Sequence, residues 1–172
     1  MERTDPDLAG DELTLLTQFL DYYRATILTK VAGLDRAAMA TALPPSDLTL
    51  AGLVKHLALV EYGWFQEDLL GRGLPEPFAS APWDDDRDWE WHTAVDDDPE
   101  WLVALYEDAC AQSRAAVAEV GDLDALSVRT SRQRPGQHYS LRWILLHMIE
   151  ETARHAGHAD FVRQAVDGTV GD

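Results

Sequence analysis

The 172-residue sequence predicts an all-α fold: an antiparallel four-helix bundle with one long crossover between helices two and three. Three observations carry this. Apolar residues recur at spacings of three and four over four long stretches, no stretch alternates convincingly as a strand does, and each stretch ends at a glycine. The connections are also unequal, about 16 residues between helices one and two and about 28 between helices two and three. A connection of the second length can run the length of a bundle, so that two successive helices point the same way.

The first helix is expected from about Gly10 to Ala32, with Leu13, Leu16, Phe19, Leu20, Tyr23, Ile27 and Val31 on one face and Gly33 as a stop. The second runs from about Thr49 to Leu70 on Leu50, Leu53, Val54, Leu57, Val60, Trp64 and Leu69, and Gly71 is placed to end it. Asp98, Pro99 and Glu100 mark the start of the third, with a capping carboxylate, proline at the first helical position and negative charge near the positive end of the dipole. It ends near Val120, before Gly121. The fourth begins after Ser140 and fades near Val166, before Asp167 and Gly168. The crossover carries Trp83, Trp89 and Trp91 among a run of acidic residues. It lacks the glycine and terminal glutamate of a calcium loop, so it reads as a solvated loop whose indoles pin it to the bundle.

Bulk properties narrow the function. A chain of this length suits one domain, residues 1–172, with a sizeable core. The hydrophobic share of 46% fits a soluble protein, and no apolar run reaches the roughly 20 residues of a membrane span. A formal net charge of -17 repels phosphate backbones, so nucleic acid is not an expected partner. The opening MERTDPDLAGDE has no basic segment followed by an apolar one, which makes cytoplasm the expected location. The one cysteine, Cys110, rules out an intramolecular disulfide and reads as a small buried hydrophobe.

The stretch from Leu141 to Gly168, LRWILLHMIEETARHAGHADFVRQAVDG, sets His147, Glu151 and His155 four residues apart on one helix face. Flanking Trp143, Ile144, Leu146, Met148, Phe161 and Val162 indicate packing on both sides, which turns the ionisable stripe towards the interior or a cleft. Buried charge needs a partner, and a divalent metal is a good one. Groups at i and i+4 define only one side of a coordination sphere, so another ligand must come from elsewhere. His56 is the natural choice. It shares a face with Gly52 and Gly63, which leave space for a neighbouring backbone or a ligand. A hydrogen-bonded core histidine is the competing reading. Nitrogen and oxygen donors suit zinc best, with nickel, iron and manganese as alternatives.

Three segments carry a resemblance: GLVKHLALVEYGWF from Gly52 to Phe65, SLRWILLHMIEETARHAGHADFVRQAVDG from Ser140 to Gly168, and more weakly LLTQFLDYYRATILTKVAGL in helix one. On these the chain resembles the DinB-like (DinB/YfiT-like) superfamily of four-helix-bundle metalloenzymes, in the actinobacterial branch related to mycothiol-dependent enzymes. The resemblance implies a divalent metal held by His56, Glu151 and His155, the last ligand falling just before Gly157; His147 with Glu151 has the same spacing and is the alternative pair. His158, where many members have glutamine, is then a general base, a fourth ligand or a support for one. His147 is a second candidate support, while His92 and His138 fall in expected loops and should be exposed.

The activity so implied is transfer of a low-molecular-weight thiol such as mycothiol to a small electrophile, by a homodimer. The alternatives are a metal-dependent hydrolase of a small substrate and a metal-binding stress-response protein without turnover.

Overall fold

A computed structural model describes residues 3–170; residues 1–2 and 171–172, which the one-domain expectation includes, lie outside the described residues. Four long helices dominate. Helix α1 spans Glu12–Val31, starting where Asp11 accepts a hydrogen bond from the Thr14 amide and turning at Gly33, whose φ is 72°. After the single turn α2 (Arg36–Met39) comes α3 (Leu50–Glu61), capped by Thr49, whose hydroxyl accepts from the Gly52 amide.

The second expected helix is not α-helical throughout. From Tyr62 to Leu69 it continues as a π-helix, a wider form found mostly as short insertions near functional sites. The crossover then holds a short helix, α4 (Trp89–Thr93), running into a 3₁₀ turn over Ala94–Asp96. Helix α5 (Pro99–Val120) is capped by Asp98 at its start and by left-handed Gly121 at its end, and α6 (Leu141–Asp167) lies between Ser140 and left-handed Gly168. Among the described residues, no helix is long and apolar enough to cross a membrane.

Side-chain pairs give the helix directions. Lys55 reaches the face of Trp101, Tyr62 donates to Asp108, and Arg72 pairs with Glu119, so both numbers rise together and α3 runs parallel to α5. Likewise Glu12 meets Arg142 and Lys30 meets Asp160, which makes α1 parallel to α6. Between the pairs the order reverses: His56 meets His155 while Trp64 meets Trp143, so α3 opposes α6. The expected bundle is present, and the long crossover accounts for its two parallel neighbours.

The fold is nearly free of sheet, as expected, and holds one small hairpin among the described residues. Strand β1 (Leu126–Thr130) pairs antiparallel with β2 (His138–Ser140), Leu126 opposite Ser140 and Thr130 opposite His138. An isolated two-stranded ribbon is marginal in water, and this one is held by packing that local sequence does not reveal. Val128 lies over Gly71, where a Cβ would come within 2.6 Å of its Cγ1, while Arg129 and Arg132 both pair with Glu67 on the π-helix. Gly71 therefore has two roles, a left-handed helix end at φ 69° and a seat for the hairpin. His138, exposed as expected, lies in this hairpin with its Nδ1 2.6 Å from the Ser127 carbonyl oxygen.

The core divides into two apolar clusters. One contains Ile27, Leu57, Tyr62, Phe78, Leu102 and Ala156; the other contains Leu20, Phe65, Leu69, Ala116, Ile144 and Met148. In every long helix a buried polar residue marks the change: Arg24, Glu61, Ser113 and Thr152. Arg24 donates Nε and Nη2 to the two oxygens of Glu61 at 2.7 and 2.5 Å, a fork-to-fork pair with almost no solvent contact. Cys110 lies 4.0 Å from Glu61 Oε1 and is fully buried, as its sequence setting suggested.

Removing one member of a buried ion pair strands the other, which costs about 3–5 kcal/mol. Arg24→Ala should therefore lower unfolding stability by about that amount in urea titrations, and a loss below 1 kcal/mol would contradict the polar layer's role. Burial first, and then the neighbouring Glu61 carboxylate, push the Cys110 thiol well above the ordinary thiol range. The native protein should accordingly resist alkylation near pH 8, whereas one thiol per chain should react in denaturant, as read by mass spectrometry.

Candidate metal centre

His56 projects from α3, and Glu151 and His155 project from α6, where their spacing of four puts both on one face. Because α3 and α6 run in opposite directions side by side, the three side chains converge. One donor atom from each lies within 4.8 Å of the others, and among the described histidines, cysteines and acidic residues no other joins this group. Glu151 Oε1 is 3.4 Å from His56 Nε2 and 3.2 Å from His155 Nε2. Donors around a tetrahedral ion with bonds of about 2.0–2.1 Å are about 3.3 Å apart, so these separations fit the edges of such a shell better than two strong hydrogen bonds. The donor set, two imidazoles and a carboxylate, is one that zinc and related divalent ions accept.

The electrostatics favour positive charge at this point. Hydrogen bonding to His155 and then to His56 holds the Glu151 carboxyl well below the usual carboxylate range. Burial disfavours charge on His56, but the hydrogen bonds to Glu151 and Glu90 outweigh it and raise its pKa. A proton and a divalent cation answer the same field, and the side chains are only 10–21% exposed, so the field is little screened.

The other histidines singled out by the sequence take different positions. His147 is not brought to it. Its ring stacks on Trp143 at 5.1 Å, meets Trp64 edge-on at 4.8 Å, and has Nδ1 3.6 Å from Glu150, so the alternative pair with Glu151 is not assembled. His158 lies behind His155, with the two Nδ1 atoms 3.5 Å apart and His155 Nε2 turned the other way, towards Glu151. Burial first, and then the neighbouring His155 and Arg154, lower its pKa. His92 is exposed and bonded to Asp86, in α4 and not in a loop.

Two neighbours were not foreseen. Glu90 from α4 places Oε1 3.0 Å from His56 Nδ1, and Trp91 stacks on the His56 ring with centroids 4.7 Å apart and planes at 26°. The space beside Gly52 is filled by this indole, since a Cβ there would stand 2.6 Å from Trp91 Cε3. Gly63 is open and lines a cavity of about 660 Å³ together with Trp64, Trp83, Tyr139, Asp68 and Glu90. The three tryptophans of the crossover do pack on the core, as expected of pins. Nothing local separates Glu90 from the other acidic residues of that run; only the two flanking tryptophans hint that it points inward.

No curated protein matches the chain. A solved structure of a conserved protein from Enterococcus faecalis superposes with a TM-score of 0.69, covering 94% of this chain and 100% of that one at 15% sequence identity. At that identity the likeness speaks for the fold alone, and it agrees with the bundle described above. Residues 15–168 match the family model described as mycothiol-S-transferase, which spans the helices supplying all three donors. The chain therefore belongs to the mycothiol-S-transferase family, a DinB/YfiT-like family.

Proposed function

We propose that this protein is a metal-dependent transferase that joins mycothiol to a small electrophile, with His56, Glu151 and His155 holding the cation. The observation that carries this reading is the convergence of those three donors from α3 and α6 in a chain of this family. A divalent cation held there supplies positive charge that lowers the pKa of a thiol and fixes the nucleophile. Zinc suits the donors best, with nickel, iron and manganese sharing their preferences. Three protein donors leave a position for substrate.

His158 is the proton acceptor in this scheme. Its lowered pKa favours the neutral ring, which can take the thiol proton as the sulfur–carbon bond forms and the bond from that carbon to its leaving group, or the π bond or small ring that activates it, breaks. The cavity beside Glu90, with the aromatic walls of Trp64, Trp83 and Tyr139, offers room for the body of the thiol or its acceptor. We take the chain as one functional domain working in the reducing cytoplasm, where a thiol co-substrate persists. Phe19 on α1 and Trp143, Leu146 and Phe161 on α6 are apolar and exposed, which supports a homodimer through these helices.

The purified protein should carry about one divalent ion per chain and form a thioether from mycothiol and a model electrophile. His56→Ala and His155→Ala should each lose the ion and the transfer while retaining the helical circular dichroism, because the apolar core does not depend on the site. His158→Gln should keep the ion but lower kcat on the order of 10²-fold. Metal content unchanged in both alanine variants, or transfer indifferent to chelation, would remove the proposal. Light scattering at micromolar concentration tests the dimer, and a monomer there would refute it.

A further inference from the structure

We infer that Glu90 is a positioning residue for the metal centre, acting through His56, and that the crossover helix α4 is in this way part of the site. The inference rests on the metal reading above and adds to it a residue from a third element. Three separate contacts point to it. Glu90 Oε1 lies 3.0 Å from His56 Nδ1, the ring nitrogen that faces away from Glu151 and His155. Trp91, the next residue, stacks on the same ring, and Gly52 is the residue that leaves it space. Lys55, the neighbour of His56 on α3, is gripped by α4 as well, donating to Thr93 Oγ1 at 2.8 Å, pairing with Asp97 just beyond it, and lying 4.3 Å from the Trp89 ring.

An imidazole bonded at Nδ1 to a carboxylate carries its proton there, which leaves the Nε2 lone pair directed at the other donors. Stacking by Trp91 fixes the ring plane, and the hydrogen bond fixes the rotation within it. The charge also balances. Glu90 and Glu151 supply two negative charges around two neutral imidazoles, so the cluster is neutral once it holds a dication. A loop anchor alone explains Glu90 poorly. Its side chain is only 6% exposed, and its second oxygen, Oε2, is buried without a hydrogen-bond partner, a cost that a neutral anchor would avoid.

Glu90→Gln and Glu90→Ala separate the two contributions. Glutamine offers Nδ1–H a carbonyl oxygen without the charge; alanine offers neither. Titrating cobalt(II) chloride into metal-free protein and following the visible d–d bands, the dissociation constant should rise about tenfold in Glu90→Gln and about 100-fold in Glu90→Ala, within the range seen for outer partners of ligating histidines. The melting temperature of the metal-free variants should stay close to that of the parent.

A second readout needs no metal. Nitrogen-15 correlation spectra of the metal-free proteins, followed upward in pH until the His56 ring has lost its proton, should show a single Nδ1–H tautomer in the parent and in Glu90→Gln, and a mixture in Glu90→Ala. Parent-like cobalt affinity and bands in Glu90→Ala would overturn the inference, as would an unchanged His56 tautomer in that variant. If the parent itself took up no cobalt, the metal reading would fail, and the tautomer spectra would decide on Glu90 alone.

Discussion

The polar layer crossing the bundle at Arg24, Glu61, Ser113 and Thr152 sets the level at which the other parts are placed. Apolar surfaces slide past one another at modest cost, because dispersion and burial are non-directional. A buried, bidentate Arg24–Glu61 pair cannot slide: a shift of one turn would leave two charges in apolar surroundings without partners. The pair locks α1 to α3. Ser113 makes a longer contact, 3.5 Å, to the Glu61 carbonyl from α5, and Thr152 bonds back to Met148 within α6. His56 stands little more than a turn before Glu61, and Glu151 immediately precedes Thr152, so both candidate donors lie within reach of this fixed layer. Such a layer adds little net stability, and its effect is on register.

The parallel run of α3 and α5 has a second consequence. Two neighbouring parallel helices need a connection at least as long as they are, and chain that long must be packed against something. Here the crossover lies against α3, with Trp83, Trp89 and Trp91 on the core and Lys55 as its cationic anchor. The segment required by topology is thereby placed against the outer side of His56. Its acidity suits that position, since carboxylates near a cation site hold back anionic competitors while leaving a neutral or cationic ligand unopposed.

What could be read from the residues divides along the same line between local and tertiary causes. Helix limits were legible to within a few residues because Thr49, Asp98 and Ser140 cap as their side chains dictate and Gly33, Gly71, Gly121 and Gly168 take positive φ. His56, Glu151 and His155 were legible as a group from spacing and family resemblance together; spacing alone also admitted His147, which the aromatic stack with Trp143 and Trp64 claims instead. The hairpin was missed because Leu126–Thr130 is too short to read as a strand without Gly71 and Glu67 beside it. The π-helical continuation over Tyr62–Leu69 has no periodic signature distinct from an α-helix over so few residues. Glu90 was missed for a tertiary reason, since its partner lies 34 residues earlier in the chain.

The placement of Cys110 constrains the chemistry from the other side. It is the chain's one sulfhydryl, fully buried in the core, and its thiol is pushed upward by burial and by Glu61. A nucleophilic cysteine needs the opposite setting, exposed and near positive charge. A cation held by His56, Glu151 and His155 would supply such a field, and among the described residues that donor group contains only imidazoles and a carboxylate. Any sulfur chemistry here must therefore use a thiol brought in from solution, which is the division of labour that membership of a mycothiol-using family implies. In the proposed reaction the protein would contribute the charge, the base and the cavity, and the small molecule the nucleophile.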